Sequence, residues 1–308
     1  MLDLQAASLP PGYWIALAAV LGLVVGSFLN VVIHRLPRML DRQWRDQCAE
    51  LAVGAGDATL PASATIAADA GPYNLVVPRS ACPSCGKQIR ARDNIPVLSY
   101  LLLRGRCAAC RAPIGMRYPM VEAASALLSA IVTWHYGPGW TALAACGITW
   151  TLLALAMIDL DRQLLPDALT LPLLWAGLLA SLWWQPGSTA SLPVSPREAV
   201  IGAAAGYLSL WSVYQAFRLL TGKEGMGYGD FKLLAALGAW LGWKMILPIV
   251  LCSALVGAVV GIALMLRFGR DRSVPIAFGP YLAAAGWLML MWGSEIVDGY
   301  LGLFRVGR

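Results

Sequence analysis

The chain has 308 residues, of which 58% are apolar and only 13% charged, and its mean hydropathy is +0.64. Soluble domains usually carry about 25% charged residues, so this composition excludes an ordinary soluble enzyme and makes lipid the solvent for most of the chain. The formal charge of +6 is accounted for by basic loops beside membrane spans, and no nucleic-acid partner is expected.

The first apolar run, 12–33, is longer than the about 20 residues a membrane helix needs. Asp3 is the only charge before it, so the basic start of a cleavable signal peptide is missing and the run is expected to stay as a span. A large polar loop follows over 34–118. Its part 39–77 turns Ala- and Gly-rich and reads as a loosely ordered insert, whereas 78–118 carries four of the seven cysteines. Further apolar segments lie at 119–135, 141–158, 168–184, 198–217, 230–245, 247–266 and 275–293. The segment 230–245 is the weakest, because Gly238 and Gly242 interrupt it and Lys244 closes it. A stretch rich in Pro and Ser, 185–196, reads as an outer loop. The expected fold is an all-α polytopic membrane protein with about eight transmembrane helices and a small cytoplasmic zinc-binding module. Its expected parts are 1–33, the loop 34–118, a membrane domain over 119–293 and a short tail over 294–308.

Charge sets the orientation. Eight spans would place nineteen of the 23 Lys and Arg on one side, twelve of them in 34–118. Only Arg197, Lys244, Arg305 and Arg308 remain for the other. That bias puts the large loop, 159–167 and 218–232 in the cytoplasm and both termini outside.

Cys82-Pro-Ser-Cys85 and Cys107-Ala-Ala-Cys110 are two C-x-x-C pairs with 21 residues between them. Two such knuckles supply four thiolates to one tetrahedral structural zinc, with no coordination position left open for catalysis. Disulfides are the alternative, but a reducing cytoplasm disfavours them. Cys48, Cys146 and Cys252 stand alone. Between the pairs, the segment around Ile95-Pro-Val-Leu-Ser-Tyr-Leu-Leu-Leu103 is an apolar patch flanked by Arg and Gly. It reads either as packing for the knuckles or as a surface that meets the membrane or a ligand.

Carboxylates near a membrane edge are costly and point to function. Asp159-Leu-Asp161 closes one span and Gly227-Tyr-Gly-Asp230 opens another, both on the expected cytoplasmic edge, so they can meet in space although 71 positions apart. A pair of carboxylates sharing a proton can activate water and polarise a peptide carbonyl. Asp230 can equally serve as a helix cap, and Asp159 and Asp161 as interfacial charges beside Arg162. Other protease chemistries lack parts. No H-E-x-x-H motif and no Ser-Gly dipeptide occur, and the two histidines, His34 and His135, fall on different edges.

Together, Gly26-Ser-Phe-Leu-Asn-Val-Val-Ile-His-Arg-Leu-Pro37, the two C-x-x-C pairs, Arg117-Tyr-Pro-Met-Val-Glu122, Ile158-Asp-Leu-Asp161 and Gly227-Tyr-Gly-Asp-Phe-Lys232 resemble the type IV prepilin peptidase family. The likeness runs from about Tyr13 to Trp292. It implies a Gly-x-Gly-Asp intramembrane aspartyl protease of the bacterial inner membrane, acting on type IV prepilins or pseudopilins. Its catalytic aspartates would be Asp159, preferred over Asp161 because it directly follows the apolar run, and Asp230. It also implies a second activity, N-methylation of the new N-terminus with S-adenosylmethionine as donor. That activity would lie in 78–118, with Gly105 and Glu122 at the donor site. The alternatives are a peptidase alone, with the zinc loop as scaffold, and a transporter or assembly factor whose edge aspartates relay ions.

Overall fold

The structure is a computed structural model and describes residues 9–54, 72–186, 192–223, 225–268 and 277–305. Residues 55–71 of the expected insert, 187–191 of the expected outer loop, Asp3, Arg270, Arg272 and Arg308 lie outside them. Among the described residues all regular structure is helical, apart from two isolated bridges in the cysteine loop. The helices are α1 (Pro11–Gly54), the short α2 (Leu98–Leu102), α3 (Arg117–Tyr136), α4 (Trp140–Arg162), α5 (Asp167–Ala180), α6 (Pro196–Thr221), α7 (Tyr228–Leu241), α8 (Ile246–Phe268) and α9 (Gly279–Arg305). A helix stands at each of the eight expected apolar segments, α5 and α7 with only 14 residues each. Three stretches, Pro11–Leu51, Trp140–Arg162 and Trp243–Arg267, are long and apolar enough to cross a membrane.

Local chemistry sets the helix ends. The Ser195 hydroxyl accepts the Glu198 N–H at 3.3 Å ahead of Pro196, a capping box that starts α6. Gly222 at φ 69° ends it. α1 differs from the sequence expectation: it does not stop at residue 33 but continues to Gly54, carrying Pro37 within it. Residues 39–54 are therefore helical. The run of charged and straight-chain residues from Arg38 to Glu50 sustains the helix once the apolar run has ended.

Two compact units are present. One comprises Ala18–Leu127, the other Met1–Leu17 with Leu128–Arg308. In the larger unit α7 is the central helix. Ten of its fourteen residues are buried, so it is apolar all round rather than on one stripe. It packs on α6, α5 and α9, and α9 in turn packs on α8 and α4. The α6–α7 crossing brings backbone onto backbone. A Cβ added at Gly202 would run into the Gly238 carbonyl, and one at Gly238 into the Gly202 carbonyl. Small residues let membrane helices approach this closely. Side-chain hydrogen bonds reinforce the bundle, with Trp240 donating to the Leu173 carbonyl at 2.9 Å and Trp287 to the Thr149 hydroxyl at 3.1 Å.

In the smaller unit α1 and α3 run antiparallel. A Cβ at Gly26 would lie 2.7 Å from Glu122 Cα, and Asn30 donates to the Tyr118 carbonyl at 3.0 Å. Arg35 is buried and spreads its guanidinium over the carbonyls of Asn74, Leu75 and Pro78 at 3.0, 3.4 and 2.6 Å. It thereby ties the chain entering the cysteine loop to α1.

Candidate active site

Asp159 lies in the last turn of α4 and Asp230 in the first turn of α7. Both are buried, at 5% and 8% exposure, while Asp161 is exposed. The two buried carboxylates are near enough for the charge of Asp159 to act on Asp230. Asp159 Oδ2 accepts the Gly279 N–H at 2.9 Å. Asp230 Oδ1 is buried without a hydrogen-bond partner among the described residues. An unmet acceptor in a dry site is costly, and here it leaves one carboxylate oxygen uncommitted for a ligand.

Three elements build this arrangement. α4 ends at Arg162, and the next residue, Gln163, takes a left-handed conformation and donates its N–H to the Asp159 carbonyl at 2.8 Å. α7 begins after Gly227, which has no side-chain cap, so Asp230 in its first turn is not spent as the N-cap. Phe231, fully buried, anchors that turn within an aromatic group formed with Tyr207, Tyr214 and Tyr228, the centroids 5.4–5.9 Å apart. Lys232 points away to Asp167 at the start of α5, at 2.7 Å.

The third element is α9, expected as a span at 275–293 but not as a partner of Asp159. Pro280 has no N–H, and the amides of Tyr281 and Leu282 bond the Phe278 carbonyl. The Gly279 amide is the donor left for Asp159, which thus caps α9 from another helix. Leu165 braces the arrangement, since Cβ atoms at Gly229 and Gly279 would meet it at 2.7 and 3.2 Å. The Gly-Pro pair ahead of an apolar run signals a helix start, but nothing in sequence says what faces it.

The four cysteines also come together. Their sulfur atoms all lie within 4.8 Å of one another, and Cys82 and Cys110 are 3.8 Å apart. A tetrahedron with Zn–S bonds of about 2.3 Å has edges of about 3.8 Å, whereas a disulfide is about 2.05 Å. The two knuckles are copies offset by 25 residues. Cys82 and Cys107 donate their N–H groups to the carbonyls of Lys87 and Ala112 at 3.0 and 2.9 Å. Gly86 and Arg111 donate back to the cysteine carbonyls at 2.9 and 3.0 Å. Backbone N–H groups of Cys85 and Ser84 aimed at its sulfur hold the Cys82 thiol at about 6, below the usual thiol range. Those of Cys110 and Ala109 likewise lower Cys107. Such N–H groups favour the thiolate at Cys82 and Cys107, whereas burial and the crowd of neighbouring sulfurs push Cys110 up to about 11; it is the spacing of the four sulfurs that fits a metal ion.

Gly105 and Glu122 flank α2. Gly105 turns the chain at φ 67°, where a Cβ would meet the Tyr100 hydroxyl at 2.9 Å. Glu122 is buried, and its Oε2 accepts the Val97 N–H at 2.7 Å.

Against known proteins, residues 20–136 match the model of the bacterial peptidase A24 N-terminal domain, and 146–262 that of the type IV leader peptidase family. A prepilin leader peptidase/N-methyltransferase of Aeromonas hydrophila is 54% identical over 294 residues, covering 96% of both chains. Proteins of the same description from Pseudomonas aeruginosa and Burkholderia pseudomallei are 53% and 55% identical, covering 91% and 94% of this chain and 91% and 88% of their own. No solved structure matches the chain.

Proposed function

The chain belongs to the type IV leader peptidase family, and from that premise we propose that Asp159 and Asp230 are the carboxylates with which it cuts its substrate. It cleaves the leader peptide of prepilins and N-methylates the residue exposed. The observation that carries the assignment is the pairing of two buried carboxylates from different helices, one oriented by a backbone N–H and the other with an open oxygen. Two such groups share a proton rather than both ionise. The ionised member takes a proton from a water, and the protonated member donates to the scissile carbonyl as the tetrahedral centre forms. Gly227, beside which a Cβ would meet nothing within 4 Å, leaves room for a substrate backbone at the mouth.

The same reading has the eight helices α1 and α3–α9 crossing the bacterial inner membrane. The dyad and the cysteine loop face the cytoplasm and both termini lie outside, as the distribution of Lys and Arg requires. The membrane peptidase domain is 119–293, and 78–118 is the zinc module within the loop 34–118. Cys82, Cys85, Cys107 and Cys110 hold a structural zinc, whose contribution is to fold the loop. S-adenosylmethionine supplies the methyl group. Gly105 and Glu122, at the two ends of α2, lie at the donor site, and no step is assigned to them. The substrates are type IV prepilins and pseudopilins.

The test is cleavage of a prepilin by the detergent-purified enzyme, followed by mass. Asp159→Asn and Asp230→Asn should each abolish leader loss while Asp161→Asn retains it. Cleavage by all three variants would refute the dyad.

A further inference from the structure

Within the Ala18–Leu127 unit, the register of α1 against α3 fixes a depth. Gly26 is level with Glu122, and Asn30, one turn on, is level with Tyr118. Gly26 lies eight residues, or about 12 Å, inside the polar end of the α1 apolar run at His34. From that depth the Glu122 carboxylate accepts the Val97 N–H. The segment following Val97 belongs in sequence to the polar loop, yet it is tied to the two membrane helices below the point where α1 leaves its apolar run.

That segment is apolar and uncovered. Ile95, Leu98, Leu101 and Leu102 are 45%, 50%, 64% and 74% exposed, and α2 buries no residue. Its backbone, by contrast, is closed to water. The N–H groups of Ser99, Leu101, Leu103, Arg104, Gly105 and Arg106 all bond carbonyls of the same segment at 2.8–3.1 Å. Satisfied amides beneath exposed apolar side chains are what hydrocarbon demands of a peptide and water does not. Arg104 and Arg106, both exposed, follow directly, where long cationic side chains reach lipid phosphates.

We infer that residues 95–106 form an interfacial wedge. Leu98, Leu101 and Leu102 enter the leaflet on the side of the cysteine loop, and Arg104 and Arg106 engage anionic headgroups. The knuckles are thereby docked on the bilayer surface as well as tethered by α1 and α3. The inference rests on the reading that α1 and α3 cross the bilayer.

The test uses the full enzyme reconstituted in phosphatidylcholine vesicles, with and without phosphatidylglycerol. A diazirine amino acid is placed singly at Leu102, at Val24 on the exposed face of α1, or at Ala109 in the second knuckle, and adducts are read by mass. Leu102 should give lipid adducts at a yield comparable to Val24, several-fold above Ala109, without any substrate. The double variant Arg104→Glu/Arg106→Glu should lower the Leu102 yield in phosphatidylglycerol vesicles. Adducts at Val24 but not at Leu102 overturn the wedge and leave the membrane reading intact. Absence at both overturns the membrane reading beneath it. Adducts at Leu102 that form only on an added trimmed pilin assign the surface to that protein and also overturn the wedge.

Discussion

Gly279→Ala is the smallest change that tests how Asp159 is held. A Cβ at this position would lie 2.6 Å from Asp159 Oδ2, 3.1 Å from its Cγ and 3.2 Å from Leu165 Cδ1. Carbon–oxygen contacts of that kind relax only when the carboxylate moves by roughly 0.5–1 Å, because Leu165 is itself buried against Gly229 and cannot yield. The 2.9 Å bond from the Gly279 amide is then stretched beyond useful length. A hydrogen bond to a charged group is worth about 1.5–3 kcal/mol. A catalytic group displaced by about 1 Å costs roughly 100-fold in rate, or about 2.7 kcal/mol, so the two routes agree. The expected result is a kcat for leader removal reduced roughly 100-fold, with KM close to wild type and the thermal midpoint of the purified enzyme lowered by only a few degrees. Cleavage within threefold of wild type would show that the α9 amide does not position Asp159, and the account of the site given above would fail. A lowered midpoint with wild-type kcat for the folded enzyme would make Gly279 a packing residue only.

Two further outcomes follow from packing and from the cysteines. Gly202→Val drives a branched side chain into the Gly238 backbone, which cannot rotate aside. It should cost about 3 kcal/mol or more and lower the thermal midpoint in detergent, whereas Gly147→Val, with nothing within 4 Å of its Cβ, should leave it unchanged. Metal analysis should find about one zinc per chain, and cobalt exchange should give thiolate absorption bands. Cys107→Ser should abolish both and make 78–118 sensitive to protease, whereas metal-free wild type that keeps the loop protected would rule out a structural zinc.

Much of this was legible in sequence because it depends on local rules. Apolar length located eight helices, and the C-x-x-C spacing brought four sulfurs within reach of one ion. The position of Asp159 directly after an apolar run separated it from Asp161, which is exposed. What was hidden depends on tertiary neighbours. Gly238 reads as a flaw in a weak span, yet its missing side chain is what admits the Gly202 backbone. The polar residues from His34 onward read as a loop, but the helix runs to Gly54. Arg35 and Asn30 sit in a motif recognised without a role, and their partners lie 39–43 and 88 positions away. Beyond their cysteines the duplicated knuckles share hydrogen bonds rather than residues, since Gly86 corresponds to Arg111 and Lys87 to Ala112.

The Gly202–Gly238 crossing has a dynamic consequence. Where side chains interleave, helices can slide by exchanging rotamers, but a seam of backbone against backbone has no rotamers to exchange. α6 and α7 must therefore travel together as one rigid piece, carrying Asp230 with them. The other buried carboxylate, Asp159, sits outside that seam, on α4, where the Gly279 N–H at the start of α9 holds it.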